Sequence, residues 1–403
     1  MSRLDYIRKK QEQAEHAKRG DSTFISFIKE HGGLVGLVAI ILVVVIAAAI
    51  IGTNPRFNAY FTNENSTSLY LDENTLFEMP YTDQEKTVIK TMGSNIILCS
   101  KNKIVALAEN GHQLWEIPIN LNKPILSIEG EYILAADRGG RDIYLINGGK
   151  VILQTTSKYS IINAKVSSNG TYVIISDEPY FKWLVTVSDA KNNEIFVWHS
   201  GSAYIIDASI GADENKLALA VINTAVTSQQ EGAEGILSGV LLFNLYETEP
   251  YKSHTFADCI ITNVYKADRG FFVVTDKKAV SLDNGGEIYN EYAYDEKTVN
   301  KIFKSDSVLV LSLEDINGKK SIVALDNRAH QKCNIDVRQA PNFISAEADR
   351  IAYGGSDIVV CDASGKELYL LKTSKKYNTL MLLSGAKKAV GVTAASVDIV
   401  EIK

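Results

Sequence analysis

Residues 105–117 read VALAENGHQLWEI, and this stretch decides the fold of the 403-residue chain. An apolar run of strand-forming residues comes first, followed by Glu109, Asn110 and Gly111, and then by a second apolar run. Asn and Gly tolerate the positive φ that tight hairpins require. The stretch therefore predicts two antiparallel strands joined by a short turn.

The same pattern recurs after residue 53, at intervals of about 35 to 50 residues. A second pair of short apolar runs precedes most copies, so each repeat predicts a unit of four strands. The further copies are IYLINGGKVIL (143–153), LVTVSDAKNNEIFVW (184–198), AVSLDNGGEIY (279–289), IVALDNRAHQKCNI (322–335), IVVCDASGKELYL (358–370) and a looser one, VLLFNLYETEPYKS (240–253).

Four short strands cannot bury both of their faces alone, but units packed radially around an axis can. We therefore predict an all-β fold, an eight-bladed β-propeller of four-stranded antiparallel blades over residues 68–403, with a seven-bladed ring as the alternative. The last stretch, 378–403, holds only about three strands, and SLYLDENTLFEM (68–79) is expected to supply its missing outer strand and close the ring. The other predicted units are 82–120, 123–156, 160–200, 203–254, 256–292, 298–337 and 341–373.

A different segment lies before the repeats: residues 34–51 read LVGLVAIILVVVIAAAII, without a charged side chain. A bilayer core requires about 20 apolar residues in helical form. The sequence therefore predicts one transmembrane α-helix over 34–52, a signal anchor that contacts the lipid bilayer, with a leader over 1–33 and a polar spacer over 53–67. A cleaved signal peptide ending near residues 47–49 is the alternative.

The distribution of basic residues predicts the orientation of this anchor. Lys18, Arg19 and Lys29 precede the apolar run, whereas only Arg56 lies close behind it. Basic residues remain on the cytoplasmic side. We therefore expect a single-pass protein of the cell membrane, with a cytoplasmic N-terminus and an extracytoplasmic propeller.

Composition restricts the function of the part beyond the anchor. Seven of the 42 basic and five of the 48 acidic residues lie before residue 34, so the remainder carries a net charge of −8. A mildly acidic domain does not favour nucleic acid as a partner. The four cysteines, Cys99, Cys259, Cys333 and Cys361, lie apart in apolar runs. They are predicted to be buried free thiols rather than disulfides or zinc ligands.

The stretch 105–117 resembles the repeat of PQQ-like, quinoprotein-type propellers, through Leu107, Gly111, Leu114 and Trp115. Asp283, Asp326 and Asp362 fit the acidic position in later copies, but Tyr289, Asn334 and Tyr369 replace the tryptophan. As a whole, the chain resembles an uncharacterised family of membrane-anchored propeller proteins from Gram-positive bacteria, which implies no assigned activity. Quinoproteins often carry adjacent cysteines, which this sequence lacks, so the resemblance implies no cofactor. The Asp residues are interpreted as turn formers.

No motif of the sequence indicates catalysis. A GxSxG nucleophile motif does not occur. The Gly pairs, such as Gly148-Gly149, fit hairpin turns better than phosphate-binding loops. A glycosidase would need two opposed carboxylates, which one sequence cannot pair. The chain is therefore predicted not to be an enzyme.

Two surfaces are candidates for binding. The insertion NTAVTSQQEGAEGILSG (223–239) offers Ser228, Gln229, Gln230, Glu231 and Glu234 on a long loop, unless it is only a tolerated extension. The aromatic residues Tyr180, Phe181 and Trp183, together with Trp198 and Tyr204, could form a ligand surface or pack inside the fold.

These observations predict a membrane-anchored propeller that binds a protein, peptide or glycan at the cell envelope as a scaffold. One alternative is a transmembrane sensor that signals through residues 1–30. A cell-envelope hydrolase is the other, and it would require acidic or nucleophilic side chains that converge near the central channel.

Overall fold

The chain divides into two units, Met1–Asn65 and Ser66–Lys403. The computed structural model describes residues 67–81, 87–223, 237–256, 259–355 and 357–402, all in the second unit. The predicted leader and anchor lie outside these residues, as does the spacer except for its last residue, Thr67. Among the described residues, no helix has the length and apolar character needed to cross a membrane.

All regular structure in the described residues is β, apart from one turn of 3-10 helix. The strands form eight sheets, which we number as blades along the chain. The chain begins with β1 (Thr67–Tyr70), the 3-10 helix (Leu71–Asn74) and β2 (Thr75–Pro80), and continues into blade 1 with β3 (Val88–Met92), β4 (Asn95–Cys99), β5 (Lys103–Leu107) and β6 (Gln113–Pro118).

Blades 2 to 4 are regular antiparallel meanders, in which each strand pairs with the next. Their strands are β7 (Pro124–Glu129), β8 (Tyr132–Asp137), β9 (Asp142–Asn147), β10 (Lys150–Thr156), β11 (Ser160–Val166), β12 (Tyr172–Asp177), β13 (Trp183–Ser188), β14 (Glu194–Ser200), β15 (Ala203–Ile210), β16 (Lys216–Asn223), β17 (Leu237–Asn244) and β18 (Lys252–Phe256).

Blades 5 to 7 repeat the same meander, and three more strands begin blade 8. These strands are β19 (Ile261–Ala267), β20 (Gly270–Thr275), β21 (Lys278–Leu282), β22 (Ile288–Ala293), β23 (Thr298–Lys304), β24 (Val308–Glu314), β25 (Lys320–Asp326), β26 (Gln331–Val337), β27 (Phe343–Glu347), β28 (Arg350–Gly354), β29 (Asp357–Asp362), β30 (Glu367–Lys372), β31 (Thr379–Leu382), β32 (Lys388–Val392) and β33 (Ser396–Glu401).

The N-terminal strand β2 completes blade 8, because it pairs antiparallel with the C-terminal strand β33. The predicted eight-bladed ring, closed by residues from both ends of the propeller, is confirmed. The prediction that residues 68–79 form one outer strand is wrong in one respect, because only its second half, β2, belongs to blade 8. The 3-10 helix turns the chain at Leu71, and the residues before it form β1, which adds a fifth, parallel strand to blade 7 beside β30.

The core consists of apolar clusters between neighbouring blades. Eight such clusters are found among the described residues, one for each pair of neighbours around the ring, and Ile96 of blade 1 packs with Val390 and Ile399 of blade 8. Middle strands such as β20 are buried along their whole length. Both of their faces are covered by other blades, so these strands are continuous apolar runs rather than alternating ones.

The turns and cysteines agree with the sequence predictions. Asp283, Asp326 and Asp362 each accept a hydrogen bond from the backbone N–H four residues later, at 2.9, 2.9 and 3.0 Å. These carboxylates therefore form turns, as interpreted from the sequence. The four cysteines are buried and free, and burial raises the pKa of the Cys99 thiol to about 12.

Candidate functional site

The meander gives the propeller two distinct faces. Because successive strands of a blade run in opposite directions, turns between first and second strands share a side with turns between third and fourth strands. We call this side the first face. The second face carries the turns between second and third strands and the connections between blades.

The predicted aromatic residues lie on the second face, at blades 3 and 4. Tyr180 lies in the turn between β12 and β13, where its side chain is fully exposed and its φ is 76°. Phe181 beside it is half exposed. A left-handed backbone costs a residue other than glycine about 1–2 kcal/mol. The exposed side chain of Tyr180 buries no apolar surface that would offset this cost. The turn therefore holds Tyr180 outward at a cost in stability.

Two further contacts order this surface. The ring of Phe181 packs on His199 with centroids 5.1 Å apart. The Nδ1 atom of His199 lies 2.6 Å from a carboxylate oxygen of Glu178, and Glu178 is buried whereas His199 reaches solvent. A buried carboxylate thus fixes the imidazole that supports Phe181.

The surface continues onto blade 4 through Tyr204. The rings of Trp183 and Tyr204 meet edge to face with centroids 6.2 Å apart. The Nζ atom of Lys182 lies 4.4 Å from the centre of the Tyr204 ring and donates a hydrogen bond to the Ser202 carbonyl at 2.7 Å. We call Tyr180, Phe181, Trp183 and Tyr204 the aromatic surface. Trp198, also predicted to belong to it, is partly buried and packs on Phe243 of the apolar cluster between blades 3 and 4, and Trp183 is partly buried against the same cluster.

The insertion of blade 4 begins and ends on the same face. Asn223 pairs with Leu237, and it also lies opposite Ala203, the residue before Tyr204. The loop that they bound therefore starts beside the aromatic surface. The candidate residues Ser228, Gln229, Gln230, Glu231 and Glu234 lie outside the described residues.

A second candidate site, which the sequence did not indicate, lies at the first face. The first strands of blades 1 to 6 surround a cavity of about 520 Å³ at this mouth of the central channel. Four lysines and three carboxylates line it, together with serine and backbone groups: Lys90, Lys165, Lys266, Lys304, Glu129, Asp268 and Asp306.

Ion pairs satisfy part of this charge. Lys165 Nζ lies 2.7 Å from an oxygen of Asp207, which is almost fully buried and also accepts the Val264 N–H at 3.1 Å. Glu129 of blade 2 pairs with Lys266 of blade 5, so one ion pair spans the channel.

The other two lysines, Lys90 and Lys304, form no ion pair with a carboxylate of the described residues. Lys304 donates hydrogen bonds to the Ser305 and Asp306 carbonyls. Burial, together with the charge of Lys266, lowers the pKa of Lys304 to about 8. The negative charges of Asp306, Asp268 and Glu129 oppose this shift but do not cancel it. The protein around Lys90 displaces part of the water that solvates its ammonium group, which lowers its pKa, and the charge of Lys165 lowers that pKa further. Both lysines project into a cavity that water can enter.

Local sequence patterns could not have found this cluster. Its lysines come from blades 1, 3, 5 and 6, and each lies on a strand that looks ordinary by itself. The only signal is positional, namely a lysine near the end of several first strands. Among the described residues, no group of three or more His, Cys, Asp or Glu side chains could hold a metal ion.

Comparison with solved structures supports the fold. The propeller is similar to BamB from Moraxella catarrhalis, with a TM-score of 0.52 and 11% identity over 82% of this chain and 97% of that one. The C-terminal WD40 domain of Sif2 gives 0.58 and 11% over 84% and 99%. Sqt1 of Saccharomyces cerevisiae gives 0.54 and 12% over 82% and 99%. At these identities the likeness concerns the fold alone.

The sequence comparisons assign a family without an activity. No functionally curated protein matches the chain. One family description does match, over residues 65–402, which is the propeller. The chain therefore belongs to DUF5711, a family of unknown function.

Proposed function

We propose that this protein is a membrane-anchored scaffold of the cell envelope, which binds a protein partner through the aromatic surface of its propeller. The observation that carries the proposal is the full exposure of Tyr180 on a left-handed backbone, next to the half-exposed Phe181. Backbone strain that supports an outward aromatic side chain is a reason to infer function at that position.

The chemistry of the surface favours a protein over a glycan. Tyr and Trp are enriched in the few residues that dominate protein interfaces. Here they are ordered in advance, since Tyr204 contacts Trp183 and Lys182, and Phe181 rests on His199. An ordered surface loses little side-chain entropy on binding.

The anchor and its orientation rest on the sequence. The run over 34–51 is long enough to cross a bilayer, and the basic residues before it favour a cytoplasmic N-terminus. In this arrangement residues 34–52 contact lipid and the propeller lies outside the cell membrane.

Photo-crosslinking in cells tests the partner. A photoreactive phenylalanine analogue in place of Tyr180 is expected to form a covalent adduct with a second protein. The matched control is the same analogue in place of Tyr246. This exposed tyrosine also belongs to blade 4, but it lies on the first face, between β17 and β18. An adduct specific to position 180 that Phe181→Ser weakens supports the proposal. Identical products from both positions, or no adduct from position 180, contradict it.

Thiol labelling tests the orientation. The four native cysteines are buried, so a cysteine introduced by Tyr246→Cys becomes the accessible thiol of the propeller. A membrane-impermeant maleimide is expected to label it in intact cells from which any outer barrier has been removed. Ser2→Cys in the leader should react only after lysis. The reverse pattern would place the propeller inside the cell.

A further inference from the structure

Lys90 is the lysine of the cavity whose charge is least compensated. Its side chain lines the cavity from the first strand of blade 1. Its side chain is exposed in the cavity, and no ion pair or hydrogen bond joins it to another of the described residues. The nearby Lys165 adds repulsion, which lowers the pKa of Lys90 in addition to the effect of the surrounding protein.

The carboxylates of the cavity do not compensate for Lys90. Asp207 is bound by Lys165, Asn163 and the Val264 amide, and Glu129 is bound by Lys266. Asp268 and Asp306 follow the first strands of blades 5 and 6. Neither of these two carboxylates counters the lowering of the Lys90 pKa, to which the charge of Lys165 contributes.

We propose that the cavity binds a small organic anion, whose carboxylate or phosphate oxygens accept hydrogen bonds from the ammonium group of Lys90. An anion at this position would carry the negative charge that offsets the repulsion between Lys90 and Lys165. Without an anion, only water in the cavity screens this repulsion. Hydrogen bonds between charged partners are about twice as strong as those between neutral groups.

The size of the cavity describes the ligand further. Its volume of about 520 Å³ lies within the range of small-molecule sites. A single phosphate ion would leave most of this space to water, so the anionic group is expected to belong to a larger molecule. Ser127 and Ser209 also line the cavity and can contact polar groups of such a ligand. This site lies on the first face, and it is therefore independent of the partner proposed for the second face.

The test measures anion binding by the full 403-residue chain, kept in mild detergent because of its predicted anchor. Sodium phosphate and sodium citrate are titrated separately at constant ionic strength, against sodium chloride. Binding of phosphate alone identifies a phosphate ligand, binding of citrate alone identifies a carboxylate ligand, and binding of both supports a general anion site. Binding of neither overturns the proposal.

Variants locate the site. Lys90→Gln is expected to weaken binding at least about tenfold, which corresponds to the loss of one charged hydrogen bond. Lys90→Arg keeps the charge and should retain affinity within about threefold. Lys150→Gln, at an exposed lysine on the outermost strand of blade 2, is the control and should change nothing. Equal affinity in Lys90→Gln and Lys150→Gln overturns the proposal.

A measurement on the wild-type chain covers the case in which Lys90→Gln does not fold. Lysine acetylation is followed by mass spectrometry with and without the anion that binds. The anion is expected to protect Lys90 several-fold and to leave Lys150 unprotected. Equal acetylation of Lys90 in both samples would contradict the assignment.

Discussion

Lys304 shows how the closed channel changes the ionisation of a single side chain. Burial at the end of β23 lowers its pKa from 10.5 to about 8. The folded protein therefore releases this proton at lower pH than the unfolded chain does. Between pH 8 and 10.5 the unfolded state binds more protons, so the contribution of Lys304 to stability rises with pH in that window. Below pH 8 the charged form destabilises the folded protein.

Replacing Lys304 by methionine should remove this penalty. We expect Lys304→Met to be more stable than the wild type at pH 7, by at most about 3 kcal/mol, because part of the side chain reaches water. The advantage should shrink as the pH rises from 8 towards 10.5. Denaturant unfolding of both proteins at several pH values measures it. Lys150→Met controls for the change of charge, and a difference that does not vary with pH would contradict the expectation.

At the level of elements, the joints between blades repeat one contact. A side chain from the outermost strand of one blade packs on the glycine of the third turn in the next blade, where a Cβ would collide. Trp115 occupies this place over Gly149, and Phe77 of β2 occupies it over Gly111. The tryptophan expected from the PQQ-like repeat is mostly replaced along the sequence, but the packing position persists with other side chains, such as Ile335 over Gly365.

Gly149→Ala tests this joint. The position has a φ of 71°, and a Cβ there would lie 2.7 Å from the Trp115 ring. Strain and overpacking together predict a loss of about 2–4 kcal/mol in the free energy of unfolding. Gly93→Ala is the matched control, since its φ is 59° but nothing lies within 4 Å of its Cβ, and it should cost only about 1 kcal/mol. Equal losses would show that the contact with Trp115 adds nothing.

The distance along the chain between interacting strands determines which features can be predicted from the sequence. The blades were predictable because a strand pair and its Asp or Gly turn are local patterns, repeated seven times with small variation. The parallel pairing of β1 with β30 joins residues about 300 positions apart, and no local pattern encodes it. The channel lysines were missed for the same reason: Lys90 and Lys165 lie on separate blades, and only ring closure brings them to one cavity. Tyr180 and Phe181 were predictable as candidates because they belong to a local cluster of aromatic residues between positions 180 and 204.

For the whole molecule, closure depends on the residues before blade 1. Leu71 is fully buried between blades 7 and 8, together with Tyr377 and Val400. Lys375 links the two ends of the propeller, since its Nζ atom lies 3.0 Å from Glu78 on β2 and 2.9 Å from the buried Asp398 on β33. Burial alone would lower the pKa of Lys375, but hydrogen bonds to Asp398 and Glu78 outweigh it and raise that pKa. The first residues of the propeller thus hold its last blade.

A closed ring gives every blade two neighbours, so loss of one joint should weaken all of them together. Leu71→Ala removes a buried side chain at the closing joint and should cost about 2–5 kcal/mol. Leu76→Ala, at an exposed leucine of β2, is the matched control and should cost less than about 0.5 kcal/mol. In denaturant, we expect Leu71→Ala to move the whole transition to lower concentration without splitting it. Blade 8 packs on both blade 7 and blade 1, so its unfolding would remove one packed face from each of these neighbours and destabilise them as well. Hydrogen exchange should then rise in every blade. A separate early transition confined to β30 and β33 would show instead that the ring unfolds blade by blade.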